Sequence, residues 1–295
     1  MPVKKSRTGV MPYIMLLRPH QYVKNIFIFA PLFFAGKVTD AHLLWNTIIT
    51  FIAFSLTASS LYVLNDYTDV SEDREHPVKR DRPLASGAVT KRTALSLMTV
   101  LFVAGTGLAF IQGSGLLMII LGYAALNVAY SFGLKHIPLL DIFIIAIGFV
   151  LRLFAGGVVT GIELSKWIIM MVFLLALFLA LAKRRDDVLL SSRGRNIRRS
   201  IDGYNLELVN GGMTIMASVI VVSYVMYALS PEIILKFHTD RLYFTSVFVL
   251  FGTLRYMQIT LVEEGSGEPT RVLLGDRLLQ ITIIAWLLSF MMIIY

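Results

Sequence analysis

The chain has 295 residues, 56% of them hydrophobic and 16% charged, with a mean hydropathy of +0.72 and a formal net charge of +8. A soluble domain averages roughly 45–50% apolar and about 25% charged residues, so this composition excludes a soluble globular protein and implies an all-α polytopic membrane protein. Zero cysteines exclude disulfides and thiolate chemistry, and five scattered histidines form no zinc pattern.

Residues 1–25 form a polar, basic N-terminal segment without the apolar core of a cleavable signal, so insertion is expected to rely on the internal helices. The segment ends in Leu17-Arg18-Pro19-His20-Gln21-Tyr22-Val23-Lys24-Asn25. Arg18, Gln21 and Lys24 there suit either a phosphate-facing surface or an interfacial anchor. From residue 26 to 295 the chain reads as one transmembrane domain. Apolar runs at 26–42, 43–64, 93–112, 114–132, 138–160, 166–182, 211–230, 242–262 and 278–295 give about nine spans. Pro31 and Gly36 interrupt the first run. Of 27 Lys and Arg, 21 lie in the N-terminal segment or after the second, fourth, sixth and eighth runs. The positive-inside rule therefore makes the N-terminus and those four loops cytoplasmic in a cell (inner) membrane protein. That bias and anionic headgroups account for the net charge without a nucleic-acid partner.

At the end of the second run the chain turns acidic, then basic. Asn65, Asp66, Asp69 and Asp73 share about a 100° arc of one helix face. His76 to Gly87 follows, carrying Lys79, Arg80 and Arg82. Crowded carboxylates repel unless a cation sits among them, and hard oxygen donors suit Mg²⁺. A solvated helix end with a stop loop is the plainer alternative. Tyr62 shares the acidic face, as an interfacial tyrosine or a donor contact. Tyr130 to Lys135 closes the fourth run, where Lys135 is a topology anchor or a phosphate ligand. Asp141, just inside the next helix, is paired or functional, or a helix-terminal charge. Arg152, three turns further and about 16 Å from Asp141, reads as a structural or snorkelling ion. Gly156 and Gly157 read as close-packing positions. The sixth run ends in Lys183-Arg184-Arg185-Asp186-Asp187. Asp187 shares a face with Lys183, giving either a second metal-binding acid beside phosphate-binding bases or an ordinary positive-inside helix end.

These residues resemble the UbiA-type intramembrane prenyltransferase superfamily over nearly the whole chain. The resemblance is carried by Asn65-x-x-x-Asp69-x-x-x-Asp73, by Tyr130-x-x-x-x-Lys135, and by the acid-rich end of the sixth run. Within that superfamily the chain is most similar to the phosphoribosyltransferases acting on decaprenyl-type phosphate. The carriers are Leu17-Arg18-Pro19-x-Gln21-x-Val23-Lys24-Asn25 and Asp73-Arg74-Glu75-His76-Pro77-x-Lys79-Arg80-x-Arg82-Pro83, with Tyr130-Ser131-x-x-Leu134-Lys135. Asp186 and Asp187 are adjacent and set among bases, unlike the spaced second acidic motif of aromatic prenyltransferases. This departure fits a donor carrying an extra phosphate.

The resemblance implies a single helical bundle with its active site at the cytoplasmic face. It implies Mg²⁺ on Asp66, Asp69 and Asp73 as catalytic metal ligands. The substrates would meet Lys24, Asn65, Lys79, Arg80, Arg82, Tyr130, Lys135, Lys183, Arg184 and Asp187. The implied reaction moves a 5-phosphoribosyl group from phosphoribosyl pyrophosphate to a polyprenyl phosphate, releasing pyrophosphate, with homo-oligomerisation left open. Glu72 projects near Asn65 but lies outside the family pattern. The alternatives are an aromatic prenyltransferase using a polyprenyl diphosphate, and a transporter. The transporter fits poorly, because most acids lie at helix ends rather than at the midplane.

Overall fold

A computed structural model describes residues 9–75, 79–192, 202–265 and 267–294. His76, Pro77 and Val78 of the basic loop, and the first eight residues of the N-terminal segment, lie outside the described residues. Every described regular element is helical. Eight of the described segments are long and apolar enough to cross a bilayer: Ala41–Thr68, Lys91–Gln112, Ser114–Phe132, Leu140–Thr160, Lys166–Ser192, Leu206–Ala228, Arg241–Leu261 and Arg277–Ile294. The interrupted first run is built differently, as a 3-10 segment, Pro19–Phe29, and a short helix, Ala30–Phe34, closed by Gly36 at φ +69°. Pro31 and Gly36 leave too little uninterrupted helix there for a span.

The chain divides into two compact units, 1–32 with 40–135 and 151–162, and 33–39 with 136–150 and 163–295. In the first unit, α1 (Met11–Leu17) and the 3-10 segment lie along α3 (Ala41–Thr68), which also packs against α5 (Lys91–Gln112) and α6 (Ser114–Phe132). Asp40 caps α3 by accepting from the N–H groups of His42 and Leu43, both at 3.0 Å. Gly113, at φ +127°, makes the turn between α5 and α6. The buried side chains of Phe54, Leu61, Leu116, Ile120 and Tyr123 form the centre of this unit.

One face of α3 is a polar seam at residues 55, 59, 62 and 66, a spacing that keeps a helical stripe in line. The segment Leu17–Asn25 is fastened to it. Asn25 donates to Ser55 at 2.8 Å, the Tyr22 hydroxyl meets Ser59 at 2.8 Å, and Ser59 donates to the Leu17 carbonyl at 2.9 Å. Arg18 then lies over the Tyr62 ring and reaches Asp66. Arg152, on α7 (Leu140–Thr160), secures the other end of the seam. It donates to Asn25 at 2.7 Å and to the Tyr123 hydroxyl at 3.0 Å, with its guanidinium over the Phe54 and Tyr123 rings. The structural reading of Arg152 matches these contacts. Gly156 allows the close approach of the strap, because a Cβ there would overlap the Ile28 carbonyl oxygen.

In the second unit α8 (Lys166–Ser192) pairs with α9 (Leu206–Ala228), and α11 (Ser246–Leu261) with α13 (Arg277–Ile294). Phe33, Phe34, Tyr227, Trp286 and Phe290 interlock as an aromatic cluster. Arg185 satisfies carbonyls at the end of α11, donating to Thr260 at 2.6 Å and Leu261 at 3.4 Å, and also to Asn210 at 3.0 Å.

Candidate functional site

The acidic end of α3 and the short helix α4 (Val70–Glu75) behave as one nearly continuous helix. The Asp69 N–H donates to the Asn65 carbonyl at 3.0 Å, and the Asp73 N–H to the Asp69 carbonyl at 2.8 Å. The expected arc therefore holds across a slight break at Asp69. Asp66, Asp69 and Asp73 are all buried, at 2%, 5% and 2% exposure. Carboxylates so far from water need cationic partners. Each has one, and the partners come from three different segments.

Arg18, at the end of α1, donates to Asp66. Arg82, from the loop after α4, places one guanidinium nitrogen 3.0 Å from Asp66 Oδ1 and 2.7 Å from Asp73 Oδ2. Lys135, after α6, donates to Asp69 and is itself buried. Asn65 donates to Asp69 Oδ2 at 3.1 Å, and Ser131 donates to the Asn65 amide oxygen at 3.4 Å. Arg74 holds the loop in place by donating to the Ala85 carbonyl at 3.2 Å. The structure thus brings together Asn65, Asp66, Asp69, Asp73, Arg82 and Lys135.

Arg18 belongs to this cluster, although the sequence weighed it only as part of a surface with Gln21 and Lys24. Its signal was the seam on α3, which ends at Asp66. Lys24 is half-buried on the segment Pro19–Phe29, and Lys79 and Arg80 lie on the turn that precedes Arg82. Tyr130 is half-buried on α6, five residues before Lys135.

A divalent metal has suitable donors here. Asp66 and Asp73 share a single positively charged nitrogen, so two hard oxygens already converge on one point of positive charge. Mg²⁺ needs only one or two carboxylates when water and phosphate complete its shell. Among the described residues no group of three Asp, Glu, His or Cys side chains is placed to hold a metal. Asp69 differs from the other two, because Lys135 and Asn65 take its oxygens.

The second unit holds a second charged cluster. Arg184, at 2% exposure, donates to Asp141 Oδ2 at 2.7 Å and also to Asp187. Arg184, for which the sequence reading expected a phosphate contact, is thus seated between two carboxylates. Asp187 pairs with Arg184 three residues before it, and Lys183 is exposed. Asp141 is fully buried and also accepts from the Tyr204 hydroxyl at 2.6 Å. Burial pushes the Tyr204 hydroxyl above the ordinary phenol range, aided by that bond to Asp141. The sequence reading did not single out Tyr204. Asp186 lies against Gly267, where a Cβ would fall 2.6 Å from its Oδ2.

Comparison with known proteins bears on the whole chain. Residues 26–275 match the UbiA prenyltransferase family. The chain is 34% identical to a decaprenyl-phosphate phosphoribosyltransferase of Corynebacterium glutamicum, covering 100% of this chain and 89% of that protein. It is 34% identical to the Mycolicibacterium smegmatis protein of the same name, over 97% and 92% of the two chains. A UbiA homologue from Archaeoglobus fulgidus, solved bound to GPP and Mg²⁺, superposes with a TM-score of 0.72 at 19% identity, covering 96% and 99%. That likeness concerns the fold. The long apolar helices and the family match together make this a multi-pass membrane protein, and the chain belongs to the UbiA prenyltransferase family.

Proposed function

We propose that this chain transfers a 5-phosphoribosyl group from phosphoribosyl pyrophosphate to a polyprenyl phosphate of the decaprenyl type, with release of pyrophosphate. One observation carries the reading: three buried carboxylates at a membrane-helix end, each seated on a cation drawn from a different segment. Such a site suits a substrate bearing both a metal-chelating diphosphate and further phosphate charge. End-to-end similarity to decaprenyl-phosphate phosphoribosyltransferases favours the ribosyl donor.

In the reaction an acceptor phosphate oxygen forms a bond to C1 of the ribose as the bond from C1 to the diphosphate oxygen breaks. The acceptor oxygen is already ionised near neutral pH, so no general base is required. Mg²⁺, when bound, would neutralise the charge that develops on the departing diphosphate. Asp66 and Asp73 would hold it. Arg18 and Arg82 would move from carboxylate to phosphate oxygens, orienting the donor, while Lys135 would reach a phosphate oxygen without leaving Asp69. Asp69 and Asn65 would set the height of Lys135. Lys24, Lys79, Arg80, Tyr130, Lys183 and Asp187 remain proposed contacts to the remaining phosphates. The N-terminus and the polar loops would face the cytoplasm, where a soluble phosphoribosyl donor is available.

The test is the mass of the lipid formed by purified protein from phosphoribosyl pyrophosphate, decaprenyl phosphate and Mg²⁺. A phosphoribosylated lipid phosphate is expected. Inactivity with that donor, together with prenyl transfer from a polyprenyl diphosphate to an aromatic acid, would replace this reading.

A further inference from the structure

Leu139 has φ +67°, a left-handed conformation that crowds the Cβ of any residue larger than glycine. Two contacts hold it there, both from the four residues before α9. The Leu139 N–H donates to the Tyr204 hydroxyl oxygen at 2.8 Å, and the same hydroxyl donates to Asp141 at 2.6 Å. Next to it, Gly203 lies so close to Pro138 that a Cβ there would overlap the proline ring. Asp141 passes the constraint to Arg184 through the 2.7 Å pair, and Arg184 passes it to Asp187. Asp187 is the least buried member, with a side chain 20% exposed against 0% for Asp141 and 2% for Arg184. A buried relay with one accessible carboxylate end is a means of aiming that carboxylate.

We infer that Tyr204 is a positioning residue, fixing Asp187 through Asp141 and Arg184 while holding the strained turn that follows Lys135 in the chain. The inference rests on the phosphoribosyl-transfer reading, in which Asp187 is a contact to the donor. Nothing in the role requires Tyr204 to touch substrate. A hydroxyl shared between a backbone N–H and a carboxylate restricts both at once, which phenylalanine cannot do.

The test compares the full-length wild type with Tyr204→Phe in detergent or nanodiscs. The variant is expected to raise KM for phosphoribosyl pyrophosphate on the order of tenfold, leaving kcat within about threefold and KM for the lipid acceptor unchanged. Calorimetric binding of inorganic pyrophosphate in the presence of Mn²⁺ should weaken by a similar factor. Asp141→Asn should produce the same shift, and the double variant no more than either alone. If Tyr204→Phe does not fold, Gly203→Ala lifts the same segment off Pro138 with every hydrogen-bonding group intact and gives the same readouts. Wild-type constants in the folded variants, or equal changes for donor and acceptor, would overturn the inference. If the wild type binds pyrophosphate with Mn²⁺ but transfers no phosphoribosyl group, the proposed reaction fails, and the binding ratio alone decides the role of Tyr204.

Discussion

Arg82→Gln should make the site bind a bare divalent metal more tightly while weakening its response to diphosphate. In the resting cluster Asp66, Asp69 and Asp73 face Arg18, Arg82 and Lys135, three negative charges against three positive. A metal arriving alone must displace a cation that has nowhere favourable to go. A metal arriving with diphosphate gives the displaced cations new partners. Arg82 is the displaceable group, because one of its nitrogens bridges Asp66 and Asp73 at 3.0 and 2.7 Å and its side chain is 24% exposed. Asp66 Oδ1 and Asp73 Oδ2 lie 3.0 and 2.7 Å from one nitrogen, hence no more than about 5.7 Å apart, and two such charges repel by roughly 3 kcal/mol at an effective dielectric of about 20. Arg18 remains on Asp66 and offsets about half of this, leaving about 1.4 kcal/mol, or roughly tenfold in metal affinity. The assay is Mn²⁺ binding by electron paramagnetic resonance, with and without pyrophosphate. The wild type should bind Mn²⁺ weakly alone and much more tightly with pyrophosphate. Arg82→Gln should bind Mn²⁺ alone about tenfold more tightly and lose most of the pyrophosphate enhancement. Equal or weaker binding of Mn²⁺ alone by the variant would refute the charge-balance argument.

Asp69→Asn and Asp73→Asn should each lower turnover on the order of a hundredfold or more, with the helical circular dichroism spectrum retained. Near-normal turnover in both would remove the acid cluster from the mechanism. Arg152→Leu leaves the Asn25 amide oxygen and the Tyr123 hydroxyl without their donor, and should cost about 2–4 kcal/mol, read as a lower thermal midpoint in detergent. A midpoint at the wild-type value would show that the strap is held by other contacts. Asp276 is held below the usual carboxylate range chiefly by hydrogen bonding from Arg255, with an Nη2 contact of 2.6 Å. A depressed carboxylate contributes stability above its unfolded pKa near 4 and loses it as pH falls through the lower folded value. Acidification from about pH 5 to pH 3 should therefore lower the wild-type midpoint more than that of Asp276→Asn.

The spans were legible because a bilayer demands long apolar helices, and hydropathy reports that demand directly. The arc of Asn65, Asp66, Asp69 and Asp73 was legible for a similar local reason, since helical periodicity alone sets it. What the sequence left open was pairing at a distance. Arg18 and Asp66 are 48 residues apart, Arg184 and Asp141 are 43 apart, and Tyr204 and Asp141 are 63 apart. Helical spacing put Lys183 and Asp187 on one face, but it does not say which cation a buried acid elsewhere in the chain draws inward. Here Asp141 draws Arg184 inward, and Asp187 follows it at i,i+3.

One long-range pairing had a local trace. Ser55, Ser59, Tyr62 and Asp66 recur at intervals of four, three and four in a helix whose other residues are largely apolar. A polar stripe facing lipid would cost free energy at every residue, so such a stripe implies a polar partner running alongside it. The basic segment before the first apolar run is the nearest polar chain able to lie along it, and it sets Arg18 beside the carboxylate of the stripe. The seam bears on the anchor reading of the N-terminal segment. An interfacial anchor needs no seam on α3, whereas a segment delivering a cation to Asp66 does. Buried acids at a membrane-helix end announce that cations must come from elsewhere in the chain. Only a second pattern, such as this seam, says which ones.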